Sequence, residues 1–329
     1  MELYNLDVVV TRGDGVESEH QVHAAVVDAR DRVVAGARDV MKQTYWRSCA
    51  KPFQVMPLLA SGGFDELPWT ADELTLACAS HGGEPEHVNV AESMLQDIGR
   101  EEGDLVCGPH DPLSSRGARI VRENGIRLSR LHNNCSGKHA AMLARAHTAG
   151  WATNGYERED HHVQRSALEM VARWSGTPAA RIARAVDGCG AVVFGSSLDS
   201  MARAYARLGS AVKRGEEIPT RIVTALQTRP FLFGGSDRFD TLLLEATGGR
   251  IVAKVGAEGV HCAVLLDAGT GIAVKVEDGA QRAQYVAVLR LAQFLGALPD
   301  QLPPRLAELA HKPVRNTRNE IVGEVRALS

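Results

Sequence analysis

The chain has 329 residues, of which 44% are hydrophobic and 23% charged, so it can bury a sizeable core and is not a disordered protein. Its formal net charge is −3, from 37 basic and 40 acidic side chains, and only 5% of its residues are aromatic. A nucleic-acid-binding protein would need a basic footprint or aromatic surfaces for base stacking, so neither value fits one. A small-molecule substrate is favoured instead.

The beginning of the chain, MELYNLDVVVTRGDG, carries Glu2 and Asp7 beside a short apolar run and is unlike a signal peptide. No segment reaches 18 uninterrupted apolar residues, so no membrane association is expected. The cysteines are scattered and form no CxxC pair, which is typical of free thiols in a cytoplasmic protein. They are Cys49, Cys78, Cys107, Cys135, Cys189 and Cys262.

The first elements are strands. Residues 5–11 and 20–28 are rich in β-branched side chains, with Gly13 and Gly15 forming a turn between them. The run VVAGA at 33–37 follows. These segments predict an antiparallel meander.

The heptapeptide RSCAKPF follows at 47–53 and places Ser48 three residues before Lys51. On the first turn of a helix these positions share a face, so a neutral lysine could take the serine proton and activate the hydroxyl. Lowering a lysine pKa from about 10.4 to about 7 costs roughly 4 to 5 kcal/mol, which burial or a nearby cation must supply. Pro52 is tolerable only in a first turn, which places Ser48 at the helix N-terminus. The spacing alone also occurs by chance.

The remainder of the chain shows helical periodicity, followed by strands. The predicted helices cover 53–60, 72–79, 86–98, 138–149, 162–174, 178–186, 198–209, 219–228, 238–246 and 280–296. The predicted late strands are RIVAKVG (250–256), GVHCAVLLD (259–267), GIAVKVED (271–278) and NEIVGEVRAL (319–328).

Strands at both ends and helices between them predict an α+β fold in a single intertwined domain. Residues 1–46 and 248–329 would form one mostly antiparallel sheet flanked by helices, and 47–247 an inserted helical subdomain. Serine β-lactamases and penicillin-binding proteins share this division. They carry Ser-x-x-Lys in the crevice between subdomains, facing a Lys-Thr/Ser-Gly strand. Lys254-Val255-Gly256 occupies the corresponding place here, by fold analogy.

Two further segments combine reactive side chains with glycine. SHGGE (80–84) could form an oxyanion hole or a ligand cradle, or it could be a helix cap with Gly82 left-handed and Pro85 starting the next helix. HNNCSGKH (132–139) precedes an apolar helix, where an anion site, a thiol of lowered pKa or a simple Asn/Ser cap would each fit.

Two loops add to this set. DGCG (187–190) presents a carboxylate and a thiol, or forms only a tight turn. KVGAEG (254–259) joins a strand lysine to a glycine-rich turn, or leaves that lysine on the surface. The Gly-Lys pair at 137–138 has no glycine five residues upstream and is not a phosphate-binding loop.

Six segments resemble the blocks of the asparaginase II family and occur in the same order over 47–260. They are RSCAKPF, SHGGE, HNNCSGKHAAML, DGCG, DRFDT and AKVGAEGV. The family is the rhizobial, thermolabile type of L-asparaginase, similar in fold to serine β-lactamases and glutaminases. The resemblance implies an amidohydrolase of linear amides. It would convert L-asparagine to L-aspartate and ammonia through a serine acyl-enzyme. The habit of the family implies a homodimer.

The resemblance also implies roles by position. Ser48 and Lys51 would be nucleophile and general base, and Ser80 with Lys254 a second Ser-Lys pair that aids proton transfer. One zinc ion would be held by Cys135, Lys138 and Cys189, with a fourth position for water. Further substrate-binding residues are implied, with Arg47 facing the α-carboxylate and Asp187 the α-ammonium group. The full implied set is Arg47, His81, Gly82, Asn134, His139, Asp187, Asp240, Gly256 and Glu258.

The chain departs from the family pattern at Asp240, where members often have a cysteine, and at Ala191-Val192, where a proline is common. Other functions stay open. A serine glutaminase differs in substrate by one methylene, worth only about 1 to 3 kcal/mol of discrimination. Another Ser-x-x-Lys amidase or β-lactamase-like hydrolase, a zinc hydrolase using metal-bound hydroxide, and a non-enzymatic sensor of amino acids or β-lactams are the remaining alternatives.

Overall fold

The computed structural model describes residues 1–328 and is built from short strands and helices. The strands are β1 (Glu2–Leu3), β2 (Val8–Arg12), β3 (Gly15–His20), β4 (Val22–Val27), β5 (Val33–Ala37), β6 (Gln43–Tyr45), β7 (Ala183–Val186), β8 (Val192–Ser197), β9 (Ile251–Val255), β10 (Val260–Leu265), β11 (Thr270–Val276), β12 (Lys312–Arg315) and β13 (Ile321–Ala327).

Most of the α-helices lie between β6 and β9. The full set is α1 (Lys51–Gln54), α2 (Met56–Ala60), α3 (Ala71–Cys78), α4 (Pro85–Gln96), α5 (Ser115–Glu123), α6 (Ser136–Thr148), α7 (His162–Ser175), α8 (Leu198–Lys213), α9 (Glu217–Thr228), α10 (Pro230–Phe233), α11 (Phe239–Ala246), α12 (Gln281–Phe294) and α13 (Pro304–Ala310). None of the helices within 1–328 is both long and apolar enough to cross a membrane.

The chain forms two compact units. The sheet unit comprises Met1–Cys49, Ser196–Lys213 and the chain from Leu242, and the helical unit comprises Ala50–Gly195 and Arg214–Thr241. The predicted division at 46/47 and 247/248 places α8 in the helical insert, whereas in the structure α8 belongs to the sheet unit.

The sheet unit is organised around a six-stranded sheet in the order β1-β5-β4-β11-β10-β9. Its pairs are antiparallel except for β1, which runs parallel to β5. β4, β9 and β10 are buried along their whole length, which explains their continuous apolar sequences. α8 packs on β4, β10 and β11, and Gly271 permits the approach because a Cβ there would lie 2.0 Å from Ala202 O.

A separate four-stranded sheet has the order β12-β13-β2-β3, with α12 packed on β2 and β13. The predicted α+β class, with antiparallel strands contributed by both chain ends, is confirmed. The predicted single sheet and N-terminal meander are wrong, because β2 pairs with β3 and β4 with β5 and β11. β3 was missed because its sequence, GVESEH, is polar and mostly exposed.

The helical unit centres on α3, which packs against α4, α6, α9 and α10. Thr70 and Glu73 close a capping box at its start, and the helix ends at Cys78, just before SHGGE. The helix predicted over 178–186 is wrong: a 3₁₀ turn at Ala179–Arg181 leads into β7, which pairs with β8. The spacing of AARIARAV fits a helix, but every residue of β7 is exposed, so burial imposes no helical face.

Candidate active site

Lys51 is the buried centre of one polar cluster. It opens α1, directly after the 3₁₀ turn Arg47–Ala50 and before Pro52, and is 1% exposed. Its Nζ donates to Asn134 O at 3.0 Å and to Ala79 O, and it lies 3.2 Å from Ser80 Oγ. The end of α3 and the loop before α6 thus meet at one amine.

These three partners determine what a neutral Lys51 can do. A neutral amine has two N–H groups and one lone pair, and the carbonyl oxygens of Ala79 and Asn134 can only accept. They therefore take the two N–H groups, and the lone pair is left for the hydroxyl of Ser80, which can donate. A neutral Lys51 would therefore direct its lone pair at the Ser80 hydroxyl, at a distance of 3.2 Å that would permit proton transfer.

Ser48 lies in the 3₁₀ turn and is half-buried. Arg47 before it has a φ of +48°, a left-handed conformation that is uncommon and costly for a side-chain-bearing residue. Cys49 after it donates Sγ–H to Lys254 O at 3.0 Å and accepts at its carbonyl from Tyr205 Oη at 2.9 Å. Buried contacts in the sheet unit therefore fix the backbone next to the Ser48 hydroxyl.

Lys254 lies on β9, opposite Cys262 of β10, and is fully buried. Its Nζ donates to Val255 O at 2.9 Å. A lysine with no solvent exposure is rare, which disfavours the surface-lysine interpretation of this segment.

The turn after Lys254 is held from two sides. Gly256 N donates to Val260 O at 2.7 Å, while Gly256 O accepts from Gln284 Nε2 of α12 at 3.1 Å. Glu258 has a φ of +60°, and its carbonyl accepts from Lys275 Nζ at 2.8 Å. Gly256 and Glu258, both predicted site residues, thus lie in one clamped turn.

Cys135, Lys138 and Cys189 come together in the helical unit. Cys135 caps the start of α6, Lys138 lies in its first turn, and Cys189 lies in the β7–β8 turn beside Gly190, whose φ is +88°. Lys138 Nζ lies 2.9 Å from Cys189 Sγ, and all three side chains are buried.

Charge is distributed unevenly over this cluster. A hydrogen bond from Cys135 and, against the effect of burial, the charge of Lys138 lower the pKa of Cys189 to about 4. Donation to Cys189, together with burial, raises the pKa of Cys135 to about 12. Burial alone would lower the pKa of Lys138, but the neighbouring sulfurs outweigh it and raise that pKa. At neutral pH the cluster holds a thiolate, a thiol and an ammonium group.

The donor atoms of this cluster fit a zinc ion. Two sulfurs and one nitrogen converge, one sulfur is already ionised, and sulfur and nitrogen are the ligands that zinc prefers. Within residues 1–328 no group of three or more His, Cys, Asp and Glu side chains is suited to a metal, so zinc binding here would depend on the Lys138 amine as a third donor. Cys107 is a neighbouring buried thiol whose pKa burial raises to about 12.

His81 is fully buried, and burial holds its pKa well below the usual value. Its Nδ1 accepts from Gly83 N–H at 3.2 Å, and its Nε2 lies 2.9 Å from Ser136 Oγ, beside Cys135. Gly83, with a φ of +71°, is the left-handed residue of this loop rather than Gly82. Gly82 is instead required for close packing, since a Cβ there would lie 2.6 Å from Ser114 Cβ. Pro85 begins α4 as predicted.

His139 is also fully buried, and burial lowers its pKa to about 3. Its Nδ1 lies 2.7 Å from Tyr156 Oη, which in turn accepts from Val106 N–H at 3.0 Å. Sequence reasoning missed Tyr156, because it stands in the loop after α6 and outside every reactive block. Ser136 and Gln284 were likewise missed as contacts of predicted site residues.

The other predicted residues differ in burial. The side chain of Asn134 lies 3.1 Å from His110 Nε2. Asp187 is half-buried, accepts from Gly188 N–H at 2.8 Å, and its charge acts on Lys138 and Cys189. Asp240 is 2% exposed in the first turn of α11.

Comparison with known proteins identifies a family for nearly the whole chain. The sequence profile of the family described as L-asparaginase II matches residues 8–327. No protein with a curated description matches the chain. Among solved structures, a β-lactamase from Mycobacterium bovis is 13% identical, with a TM-score of 0.43, over 83% of this chain and 94% of that one. A Bacillus glutaminase is 14% identical, with a TM-score of 0.38, over 84% and 91%.

Proposed function

The chain belongs to the L-asparaginase II family, and from that premise we propose that it hydrolyses the side-chain amide of L-asparagine to L-aspartate and ammonia. The contact between Lys51 Nζ and Ser80 Oγ carries the proposal. A buried amine whose two other partners are carbonyl oxygens is suited to receive a hydroxyl proton, which is the step that serine acyl transfer needs.

In the proposed reaction the Ser48 hydroxyl attacks the carbonyl carbon of the side-chain amide, and its proton passes through the Ser80 hydroxyl to neutral Lys51. The C–N bond then breaks, and the proton passes from Lys51 to the departing nitrogen, which leaves as ammonia. Water attacks the β-aspartyl ester with Lys51 again as base, which releases L-aspartate and restores Ser48. Ser80 relays protons at Lys51, and Lys254 is its partner in the second Ser-Lys pair.

The substrate's charged groups have proposed partners of opposite sign. Arg47 receives the α-carboxylate and Asp187 the α-ammonium group. Backbone N–H groups next to Ser48, or those of the SHGG loop, receive the negative charge that develops on the amide oxygen. His81, Gly82, Asn134, His139, Asp240, Gly256 and Glu258 complete the proposed binding set.

We also propose that one zinc ion is held by Cys135, Lys138 and Cys189. When bound, the ion supplies positive charge that orients the substrate and its neighbouring groups. Lys138 has to give up a proton to become a ligand, whereas Cys189 is already a thiolate. From the resemblance we also propose a homodimer, which sedimentation velocity tests. From the composition we propose a cytoplasmic location.

The decisive assay measures ammonia release from L-asparagine and L-glutamine and, in parallel, nitrocefin hydrolysis. Ser48→Ala and Ser80→Ala are compared with Ser93→Ala, which changes an exposed serine of α4. We expect L-asparagine to be preferred and Ser48→Ala to be inactive. Near-wild-type activity of Ser48→Ala would remove Ser48 as nucleophile and favour Ser80. If L-glutamine or nitrocefin is hydrolysed faster than L-asparagine, that compound becomes the proposed substrate. Binding of these compounds without turnover would identify a sensor.

A further inference from the structure

The ring of His139 is buried with one of its nitrogens unpaired. His139 stands four residues after Cys135, on the same face of α6, and its N–H donates to Cys135 O at 3.0 Å. Helical side chains point towards the helix N-terminus, so the ring lies over the turn that carries Cys135. Nδ1 contacts Tyr156 Oη, whereas Nε2 has no hydrogen-bond partner among residues 1–328.

The hydrogen bonds around Tyr156 determine which nitrogen of His139 carries the proton. Tyr156 Oη already accepts from Val106 N–H at 3.0 Å, so its own proton is free to be donated to Nδ1. In that arrangement Nε2–H is the single unsatisfied group. If Nδ1 carried the proton instead, both the Tyr156 hydroxyl proton and the Nε2 lone pair would be buried without partners. The first arrangement leaves fewer unpaired groups and is therefore favoured.

A buried N–H without an acceptor is costly unless something fills the position opposite it. His139 directly follows Lys138 in α6 and its backbone N–H donates to Cys135 O, so it stands among residues of the proposed site. Tyr156 is 1% exposed, and its ring packs edge-on against His139, with centroids 5.6 Å apart. The orientation of the imidazole is therefore fixed by packing.

We propose that Tyr156 is a positioning residue that holds His139 as the Nε2–H tautomer, so that this N–H donates to a carbonyl or carboxylate oxygen of the amino-acid substrate. This inference rests on the proposed function, because it names the group that receives the substrate oxygen in that same site. A series of hydrogen bonds runs from Val106 N–H through the Tyr156 hydroxyl to the His139 ring. It places one neutral donor, Nε2–H, in a site that also contains charged groups.

The first test needs no substrate. Two-bond ¹H–¹⁵N correlation spectra of the protein, with the His139 signal assigned by its loss in His139→Gln, report which ring nitrogen is protonated. We expect Nε2–H in the wild type and a mixed tautomer in Tyr156→Phe. Nδ1–H in the wild type would overturn the inference.

The second test measures substrate binding. Tyr156→Phe is compared with Tyr285→Phe, which removes the hydroxyl that Gln281 contacts in α12. We expect Tyr156→Phe to raise KM for L-asparagine and Kd for L-aspartate about tenfold with kcat little changed, the effect of one hydrogen bond. His139→Leu should lose more binding than His139→Gln, whose amide can replace the Nε2–H donor. Unchanged KM and Kd in Tyr156→Phe, or equal loss in the two His139 variants, would refute the role.

The two proposals fail differently. If the wild type releases no ammonia from L-asparagine, the proposed function fails, while the tautomer and the L-aspartate titration still report on Tyr156. If the wild type is active but Tyr156→Phe keeps the wild-type tautomer and Kd, only the role of Tyr156 fails.

Discussion

Lys138 Nζ lies 2.9 Å from Cys189 Sγ in a cluster that is almost closed to solvent. The pKa of Cys189 is lowered to about 4 and that of Lys138 is raised, so the contact is a thiolate–ammonium ion pair at neutral pH. A buried ion pair of this kind is stable only while both charges are present. It also means that a metal ion entering the cluster has to displace the lysine proton.

Zinc binding should therefore release about two protons at pH 7, one from Lys138 and one from Cys135, whose pKa is about 12. Cys189 contributes none, since it is already ionised. Calorimetric titration of the metal-depleted protein with zinc, in buffers of different ionisation enthalpy, measures this number. Affinity should rise with pH.

The matched variants are Cys189→Ala, which should abolish tight zinc binding, and Cys78→Ala, a buried cysteine at the end of α3 that should leave it intact. Release of fewer than about one proton, or unaltered zinc affinity in Cys189→Ala, would contradict the assigned ligand set.

Lys51→Met should lower kcat by a factor on the order of 10² to 10⁴, because it keeps the volume of the side chain and removes the base. It also leaves Ala79 O and Asn134 O without their donor, which costs roughly 1 to 3 kcal/mol of unfolding free energy each. Ammonia release and urea denaturation measure the two effects. Lys213→Met is the control, since Lys213 also donates to a carbonyl oxygen, that of Asp267, but on the surface. A Lys51→Met enzyme with wild-type kcat would exclude Lys51 as the base.

Local spacing singles out Ser48 and Lys51 as candidate reactive residues, because Ser-x-x-Lys is a short-range pattern with a chemical reason. It could not show that Lys51 reaches Ala79 and Asn134, because those contacts depend on how α3 packs against α6. Tyr156 could not be predicted for the same reason. It is a single tyrosine in a loop, and its contact with His139 joins residues that are 17 positions apart in the sequence.

The strands of the fold likewise divide into those with a local sequence pattern and those without one. Strands buried on both faces, such as β4 and β10, show as apolar runs and were found. β3 and β7 are mostly exposed, so their strand structure depends on pairing with neighbours rather than on a hydrophobic pattern. The sequence therefore predicts a helix where β7 lies and predicts no strand at the position of β3.

Acid should destabilise the protein well above the carboxylate range. The pKa values of His81, His87 and His139 are all lowered, because burial disfavours the imidazolium form. Below pH about 6.5 the unfolded chain binds protons that the folded protein does not bind, so the unfolding free energy falls as the pH decreases. The loss is up to about 1.4 kcal/mol per pH unit for each histidine.

Urea denaturation between pH 7.5 and 5.0 measures how the unfolding free energy depends on pH. This interval lies above the one in which carboxyls with lowered pKa values, such as Glu86 and Asp278, change the stability. His87→Gln should make the unfolding free energy depend less steeply on pH than it does in the wild type. A stability that is constant over this range would contradict the buried neutral state.

Arg116→Ala should destabilise the helical unit by about 2 to 3 kcal/mol, because it leaves the fully buried Glu84 without its cation. Glu84 Oε2 accepts from Arg116 at 2.6 Å, and Oε1 accepts from Ser236 N–H at 2.8 Å, so the carboxylate links α4, α5 and the loop before α11. Arg119→Ala, at an exposed position of the same helix, should change stability by less than about 0.5 kcal/mol. Equal denaturation midpoints for the two variants would show that Glu84 finds another partner.

Gly137→Ala should separate α6 from α3 and disturb the cysteine–lysine cluster together with the fold. A Cβ at 137 would lie 2.4 Å from Leu76 O and 2.7 Å from Leu76 C, and backbone atoms cannot move aside as a flexible side chain can. Overpacking of this kind costs about 1 to 3 kcal/mol. Because Lys138 is the next residue, we expect zinc affinity to fall as well.

Gly108→Ala is the matched control, since a Cβ at 108 would have no atom within 4 Å and its φ is not positive. Its unfolding free energy should stay within about 0.5 kcal/mol of the wild type. Thermal denaturation of both variants, followed by zinc titration of the folded proteins, separates packing from ligation. If Gly137→Ala keeps wild-type stability, the approach of α6 to α3 is looser than 2.4 Å implies, and the position of Lys138 does not depend on it.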